Sequence, residues 1–340
     1  MSFSSDLLKW HKKQNRHLPW HIEPSSYKIW ISEIMLQQTV LSSVLKHYKK
    51  WMSVFPDVFI LARASEKKVL QIWEGLGYYS RGRNILKTAK ILVQQYKGKL
   101  PNDYETLVSL PGIGDYTACA ILSMAYGQTY SVLDANVKRI GQRLLAKPEW
   151  NKNTQESIKK FFMDKIDSKQ PGIFNEALMH FGQKICLKNP KCLVCPLQKY
   201  CLAFKYNKQN EIPALTQRQT IVLEHYLVIL KKGNRIFLIQ KSDKLLRGLW
   251  QFPKYKKVYE EKELFLIIKK EWHLKKLILL KRMKRIVHTY TKYKDYLYPL
   301  VFKAEPEKIT KNWVEIKNLG IYPFPSVYRK ILVSDYLSNT

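Results

Sequence analysis

The chain is poor in acid. Its 340 residues hold 27 Asp and Glu against 59 Lys and Arg, a formal charge of +32. That imbalance argues against a polycationic partner and for a polyanion, of which nucleic acid is the usual case. Lysine outnumbers arginine 47 to 12, and with the many Ile, Asn and Tyr part of the excess fits an AT-rich coding bias. The charge is spread evenly: residues 1–201 carry 30 basic and 15 acidic side chains, residues 202–340 carry 29 and 12. No window approaches the roughly 18 uninterrupted apolar residues of a membrane span. The opening MSFSSDLLKWHKKQ lacks the roughly 7–15-residue apolar core of a secretory signal, which predicts a cytoplasmic protein. Internal repeats and low-complexity tracts are absent, and 46% hydrophobic residues argue against extended disorder. Cysteine is scarce, with five residues in all, and disulfides are improbable in a chain that reads as cytosolic.

The chain changes texture near residue 221. Before it, SSDLLKWHKK, YKIWISEIMLQQ, SVLKHYKKWMSVF, ASEKKVLQIWEGL, RNILKTAKILVQQY and TACAILSMAY place apolar residues at three- and four-residue spacing, a helical pattern. LPW, FPD, GLGYY, GKLPND and LPGIG punctuate them. After it, YLVILKKGNRIFLIQKSD reads as a hairpin around Gly-Asn, YKDYLYPLVFKA as a strand and VYRKILVSDYL as a closing helix. The expected division is a helical domain over 1–201, a polar linker over 202–220 and a mixed domain over 221–340.

Four of the five cysteines fall in CLKNPKCLVCPLQKYC, as Cys186, Cys192, Cys195 and Cys201. Such crowding in a cytosolic chain points to metal. Zinc ribbons present two C-x-x-C knuckles, whereas this loop has one flanked by single cysteines, which suits a 4Fe–4S cluster better. Lys188, Lys191 and Lys199 add positive charge for phosphates. Cys119, inside a predicted helix, reads as core.

In LPGIGDYTAC, Gly112 and Gly114 make a tight turn opening onto a helix N-terminus. Free N–H groups and the helix dipole there suit a phosphate, although a G-x-G turn also serves as a plain connection between helices. Downstream in VLDANV, Asp134 is placed as a helix N-cap, as a functional carboxylate, or as both.

LPGIGDYTACAILSMAYG with VLDANVKR resembles the helix-hairpin-helix DNA glycosylase superfamily. LPW with YKIWISEIMLQQT, EGLGYYSRGRNI and NEALMHFGQKIC are similar to its MutY family of adenine DNA glycosylases. The likeness is specific over residues 17–201 and weaker beyond. It implies an all-α helix-hairpin-helix glycosylase domain with a 4Fe–4S loop, followed by an α+β MutT/Nudix-like domain that reads 8-oxoguanine. The implied reaction is hydrolytic removal of adenine mispaired with 8-oxoguanine or guanine in base excision repair, on double-stranded DNA, by a monomer at the nucleoid with no membrane association.

The resemblance also implies roles for single residues. Glu33 matches the general acid that protonates N7 of the extruded adenine. Asp134 matches the carboxylate that meets the oxocarbenium-like sugar by charge stabilisation or covalent capture, a two-carboxylate logic shared with glycoside hydrolysis. Tyr116 stands where endonuclease III, the bifunctional relative, has its Schiff-base lysine, which implies a glycosylase without strong lyase activity. Asn136 matches an asparagine beside the aspartate. Gln38 and Tyr78 match residues that enter the base stack, offsetting the cost of extrusion. Trp20, Gly112, Gly114 and Lys138 complete the DNA-contacting set of the first domain. In the second, LLRGLWQFP resembles the MutT-like segment, and Tyr290-Thr291-Lys292 replaces the family's Phe-Ser-His turn. The acid-rich magnesium-binding helix of MutT hydrolases is absent after LWQFP, so this half is expected to bind without hydrolysing nucleotides. Departures from the family pattern include His21 for arginine, Ala135 for glycine, His180 for an acid, and a first cysteine interval one residue short. A thymine-mismatch glycosylase, an endonuclease III-like lyase and an inactive iron–sulfur DNA-binding module are the alternatives.

Overall fold

A computed structural model describes residues 2–214, 219–241, 247–290 and 292–333. The chain divides into two compact units, Met1–Ala64 with Asn84–Thr216 and Ser65–Arg83 with Gln217–Thr340.

The first unit is helical. Several of its helices begin on side chains that answer the free N–H groups of the first turn: Ser25 for Ser26–Leu36, Asp103 for Tyr104–Ser109, Asp134 for Ala135–Leu144 and Asn151 for Lys152–Lys165. Two helices are buried nearly all round. Ser26–Leu36 buries every residue from Ile29 to Met35, and Asp115–Tyr126 buries every residue from Thr117 to Ser123. A helix enclosed in this way shows no polar stripe, and the two pack against each other. Pro171–Lys184 packs on Asp115–Tyr126, Ala135–Leu144 and Phe3–Lys13, over a core that includes Ile140, Phe162, Phe174 and Leu178.

Tyr104–Ser109 and Asp115–Tyr126 flank the glycine turn as a helical hairpin. The Ile113 N–H donates to the Leu110 carbonyl at 3.1 Å. Gly112 has φ +82, and a Cβ there would lie 2.7 Å from Asn84 Cβ. Conformation and space both demand glycine. Gly127, at φ +66, ends the second helix. The stretch expected as a linker starts inside this unit. Leu202–Lys205 is a short helix, Arg143 Nε donates to the Ile212 carbonyl at 2.7 Å, and the Ala214 N–H donates to the Pro148 carbonyl at 2.9 Å.

In the second unit the strands are β1 Ile221–Lys232, β2 Arg235–Phe237, β3 Ile239–Gln240, β4 Trp250–Gln251, β5 Lys254–Lys256, β6 Leu274–Arg282, β7 Ile286–Tyr290, β8 Tyr293–Pro306 and β9 Trp313–Glu315. The main sheet runs β6-β8-β1-β2-β9, with β5 on β1 and β7 on β8. β1 turns into β2 at Gly233-Asn234, as its sequence predicts, with Lys232 opposite Arg235. β1 and β8 run parallel from the Ile221–Tyr293 pair to Lys231–Lys303. Alternate residues of the pair feed two cores. Leu227, Ile229, Leu297 and Val301 pack with Phe324 and Tyr328, whereas Val228, Leu230, Leu300 and Phe302 pack with Leu264 and Ile268 of helix Glu261–Glu271. Cover on both faces accounts for the unbroken apolar run YLVIL. The segment Ser65–Arg83, with helix Glu66–Trp73, belongs to this unit despite its distance in sequence. Among the described residues, no helix is long and apolar enough to cross a membrane.

Candidate active site

An open cleft in the first unit, of about 730 Å³, is lined by Glu33, Tyr116, Asp134, Asn136, Gln38 and Trp20, together with Arg16, His21, Glu176, Met179 and Gln183. Six residues singled out from sequence therefore meet in one place. Glu33 lies in the fully enclosed helix Ser26–Leu36 and is 2% exposed. The Tyr116 hydroxyl, from the first turn after the glycine hairpin, donates to Glu33 Oε2 at 2.5 Å and lies 3.1 Å from Met179 Sδ. Burial pushes the Glu33 carboxyl up to about 7. The Tyr116 hydroxyl opposes this rise, Asp134 and Glu176 add to it, and Arg16 counteracts it. Tyr116 is itself pushed far above the usual phenol range by burial and by the two carboxylates. A carboxyl of this kind holds its proton near neutral pH and has something to give it to.

Asp134 is both of the things its sequence left open: an N-cap, and a carboxylate facing the cleft. Oδ1 accepts the Val137 N–H at 2.7 Å and Oδ2 accepts from Asn136 Nδ2 at 2.9 Å. Burial raises its pKa above the ordinary aspartate value, against the pull of those two donors. Behind it, Arg139 Nη2 donates to Asn136 Oδ1 at 3.0 Å and to the Gly182 carbonyl at 2.8 Å, while Nε donates to the Cys186 carbonyl at 2.8 Å. Arg139 fixes the asparagine that fixes the aspartate. The i, i+3 spacing of Asn136 and Arg139 on one helix was the available signal for it.

Glu176 was also missed. It follows the 176, 179, 183 periodicity by which helix Pro171–Lys184 faces the cleft. His21 Nδ1 lies 3.4 Å from Glu176 Oε2, and Glu176 Oε1 is buried without a hydrogen-bond partner among the described residues. Burial pushes this carboxyl up to about 7 as well. His180 sits against His11, with Nδ1 atoms 3.2 Å apart, and burial pushes it down to about 4. Two sequence departures, His21 and His180, thus fall in one polar cluster with Glu176 and Arg16.

The remaining candidates lie elsewhere. Gly114 is the N-cap of helix Asp115–Tyr126, and no neighbouring atom lies within 4 Å of where a Cβ would stand. Lys138 Nζ sits 4.4 Å over the Trp150 ring. Tyr78, in the second unit, is 43% exposed at φ +43. Tyr290 is half-buried, its ring 5.0 Å from His288 and 5.5 Å from Tyr293. Lys292 Nζ lies 5.7 Å over Tyr293, and Thr291 lies outside the described residues.

Cys186, Cys192, Cys195 and Cys201 line a single small cavity, walled by Ile140, Leu144, Phe181, Leu197 and Phe204. None is in a disulfide. Among the described residues no three His, Cys, Asp or Glu side chains converge on a point that one metal ion would fill. Four thiols lining one space could hold a multi-iron cluster with one thiolate per iron. Arg143, 3% exposed, puts Nη1 3.4 Å from Cys186 Sγ and donates to the Leu187 and Lys188 carbonyls. Its buried charge suits thiolate ligands.

A helical hairpin beside a cleft holding two carboxyls is the arrangement expected of a base-excision repair glycosylase. Residues 31–167 match the HhH-GPD superfamily of base excision DNA repair proteins, and residues 225–334 match the NUDIX domain. The chain is 34% identical to the adenine DNA glycosylase of Buchnera aphidicola subsp. Acyrthosiphon pisum, over 97% of this chain and 96% of that one. It is 35% identical to its counterpart from Buchnera aphidicola subsp. Baizongia pistaciae, over 99% and 98%. The Homo sapiens adenine DNA glycosylase is 37% identical over 63% of this chain and 41% of its own length. Among solved structures, a thermostable thymine-DNA glycosylase superposes with a TM-score of 0.56 at 25% identity, covering 60% of this chain and 95% of that one. An endonuclease III–DNA complex does so at 0.51 and 24% identity, covering 61% and 99%, a likeness of fold. The chain belongs to the adenine DNA glycosylase family, and it is a DNA N-glycosylase that removes adenine in base excision repair.

Proposed function

We propose that the enzyme hydrolyses the N-glycosidic bond of adenine paired with 8-oxoguanine or guanine, using Glu33 as acid and Asp134 as the carboxylate at the sugar. The observation that carries this reading is the pairing of the two carboxyls across one cleft with different surroundings. Glu33 is buried, and burial pushes its pKa up to about 7, so a substantial share of it carries a proton near neutral pH. Asp134 is held by the Val137 N–H and the Asn136 amide, donors that favour its anion. Proton transfer to N7 turns adenine into a good leaving group, and the Asp134 anion stabilises the positive charge that develops at C1′. Tyr116 orients Glu33 and offers no amine at the position of the Schiff-base lysine, which supports a glycosylase without strong lyase activity.

The hairpin amides at Gly112 and Gly114 grip a phosphate, with Lys138 nearby in sequence on the helix after Asp134. Trp20 packs beside the base site, Gln38 fills the space left by the extruded base, and Tyr78 wedges beside the opposite base. Tyr290, Thr291 and Lys292 of the second unit meet 8-oxoguanine. Cys186, Cys192, Cys195 and Cys201 hold a 4Fe–4S cluster that shapes the loop and takes no part in the hydrolysis. The protein acts as a monomer on double-stranded DNA in the cytoplasm, at the nucleoid.

The test is single-turnover release from duplexes bearing A·8-oxoguanine, A·G and T·G, with borohydride trapping alongside. Adenine release from the first two with little trapped adduct is expected. Preferential thymine release, or efficient trapping, overturns the assignment.

A further inference from the structure

The turn that carries Tyr78 is built under strain. Gly75, Gly77 and Tyr78 take φ of +104, +67 and +43, three left-handed residues within four positions. Trp73 Nε1 donates to the Gly77 carbonyl at 3.0 Å, and Arg81 Nη2 donates to the Leu76 carbonyl at 2.7 Å. A non-glycine residue at positive φ costs energy and persists where its surroundings impose it.

Much of what imposes it comes from about 250 residues away. Glu74 takes the Arg329 guanidinium in a two-point grip, Nε to Oε1 at 2.5 Å and Nη2 to Oε2 at 2.8 Å. The Phe324 N–H also donates to Glu74 Oε2, at 3.3 Å. Arg329 further donates to the Leu319 and Tyr322 carbonyls, at 3.2 and 2.8 Å. On the other side of the turn, the buried Tyr79 hydroxyl donates to the Phe324 carbonyl at 2.6 Å. Phe324 thus bridges the residues on both sides of Gly75–Tyr78, through its N–H and its carbonyl.

We propose that Glu74, Tyr79 and Arg329 are positioning residues for mispair recognition, which latch the Tyr78 turn to the C-terminal part of the chain. Two-point arginine–carboxylate pairing fixes orientation as well as distance, and the tyrosine hydroxyl blocks rotation about the second arm. The C-terminal segment then contributes to recognition twice: through its own contacts and by holding an aromatic side chain at the opposite base. This rests on the reading of Tyr78 as the wedge.

The experiment is a double-mutant cycle in the full-length protein. Dissociation constants and single-turnover rates are measured on A·8-oxoguanine and A·G duplexes for the parent, Tyr78→Ala, Arg329→Ala and the double variant. Arg329→Ala is expected to weaken mispair binding by about two- to hundredfold, the range of coupling within one network, and to add nothing once Tyr78 is alanine. Arg329→Lys should restore part of the loss. Should Arg329→Ala not fold, Tyr79→Phe replaces it in the same cycle, since it removes one hydroxyl and no volume from the core. An effective Tyr78→Ala with an additive Arg329→Ala overturns the latch alone. A Tyr78→Ala that binds as the parent overturns both the wedge and the latch, while adenine release from the A·G duplex still reports on the Glu33 and Asp134 assignment.

Discussion

At the scale of single residues, the two carboxyls differ in what the sequence revealed of them. Asp134 stands out as a capping residue before a helix and after a glycine hairpin. Glu33 does not, because it is one polar residue in a run buried from Ile29 to Met35, and only family resemblance singles it out. The structure supplies the physical reason for its placement: enclosure that raises its pKa to about 7. An acid must be protonated to act, so the rate of adenine release should fall as pH rises through about 7. In the proposed reaction the Asp134 anion is needed too, which predicts an acidic limb and a bell-shaped profile. Glu33→Gln should lower the single-turnover rate by about 10²–10⁴-fold and abolish the alkaline limb, and a limb that survives the substitution assigns the acid elsewhere. The same burial has a stability sign. A carboxyl whose folded pKa lies above its ordinary 4.5 stabilises the fold fully below that value and loses this as pH rises through about 7. Glu33→Gln should therefore be more stable than the parent at about pH 8 by about 3 kcal/mol, and indistinguishable at about pH 4. Denaturant titrations at the two pH values test it.

At the scale of elements, helical spacing and glycine punctuation made most of the first unit legible, and the Gly-Asn turn and the apolar strands made the sheet legible. Contacts that join distant helices were not. Arg139 and Gly182 belong to this class: Gly182 sits inside helix Pro171–Lys184, where alanine would ordinarily be favoured by about 1 kcal/mol. A Cβ at 182 would lie 2.6 Å from Asn136 Cβ and 3.3 Å from Ile140 Cδ1. Asn136 holds Asp134, so Gly182→Ala should push on the carboxylate through its partner. The expected result is a loss of adenine release larger than the overpacking cost of about 1–3 kcal/mol would cause at temperatures where the variant remains folded. Rates that match the parent under those conditions would show that Asn136 gives way without moving Asp134. Spacing alone singled out the cysteine loop as a candidate cluster site, and the structure adds that all four cysteines line one cavity. Cys192→Ser should lower soluble yield, iron and acid-labile sulfide together. Stoichiometric zinc without iron, in protein reconstituted with both, is the opposing outcome.

At the scale of the whole molecule, charge was the first signal and the least specific. It named a polyanion and nothing of the chemistry, because an excess of 15 in residues 1–201 and 17 in residues 202–340 is spread over the entire chain. The assignment of Ser65–Arg83 to the C-terminal unit was invisible for a different reason. Single hydrogen bonds between residues some 250 positions apart leave no periodic trace in either segment. The even charge does make a prediction about salt. Phosphate contacts release counterions, and each contributes a slope of about −0.9 in log K against log salt. Duplex binding should therefore weaken steeply between about 50 and 200 mM salt, for mispaired and fully paired DNA alike. Lys138→Ala should reduce that slope by about one on both duplexes, because an ammonium on phosphate carries no sequence information. The single-turnover rate at saturating enzyme should change far less, since Glu33 and Tyr116 are screened from bulk ions by burial. A binding constant that ignored salt would mean that the surplus of lysine is compositional and that the duplex is held by apolar and base contacts alone.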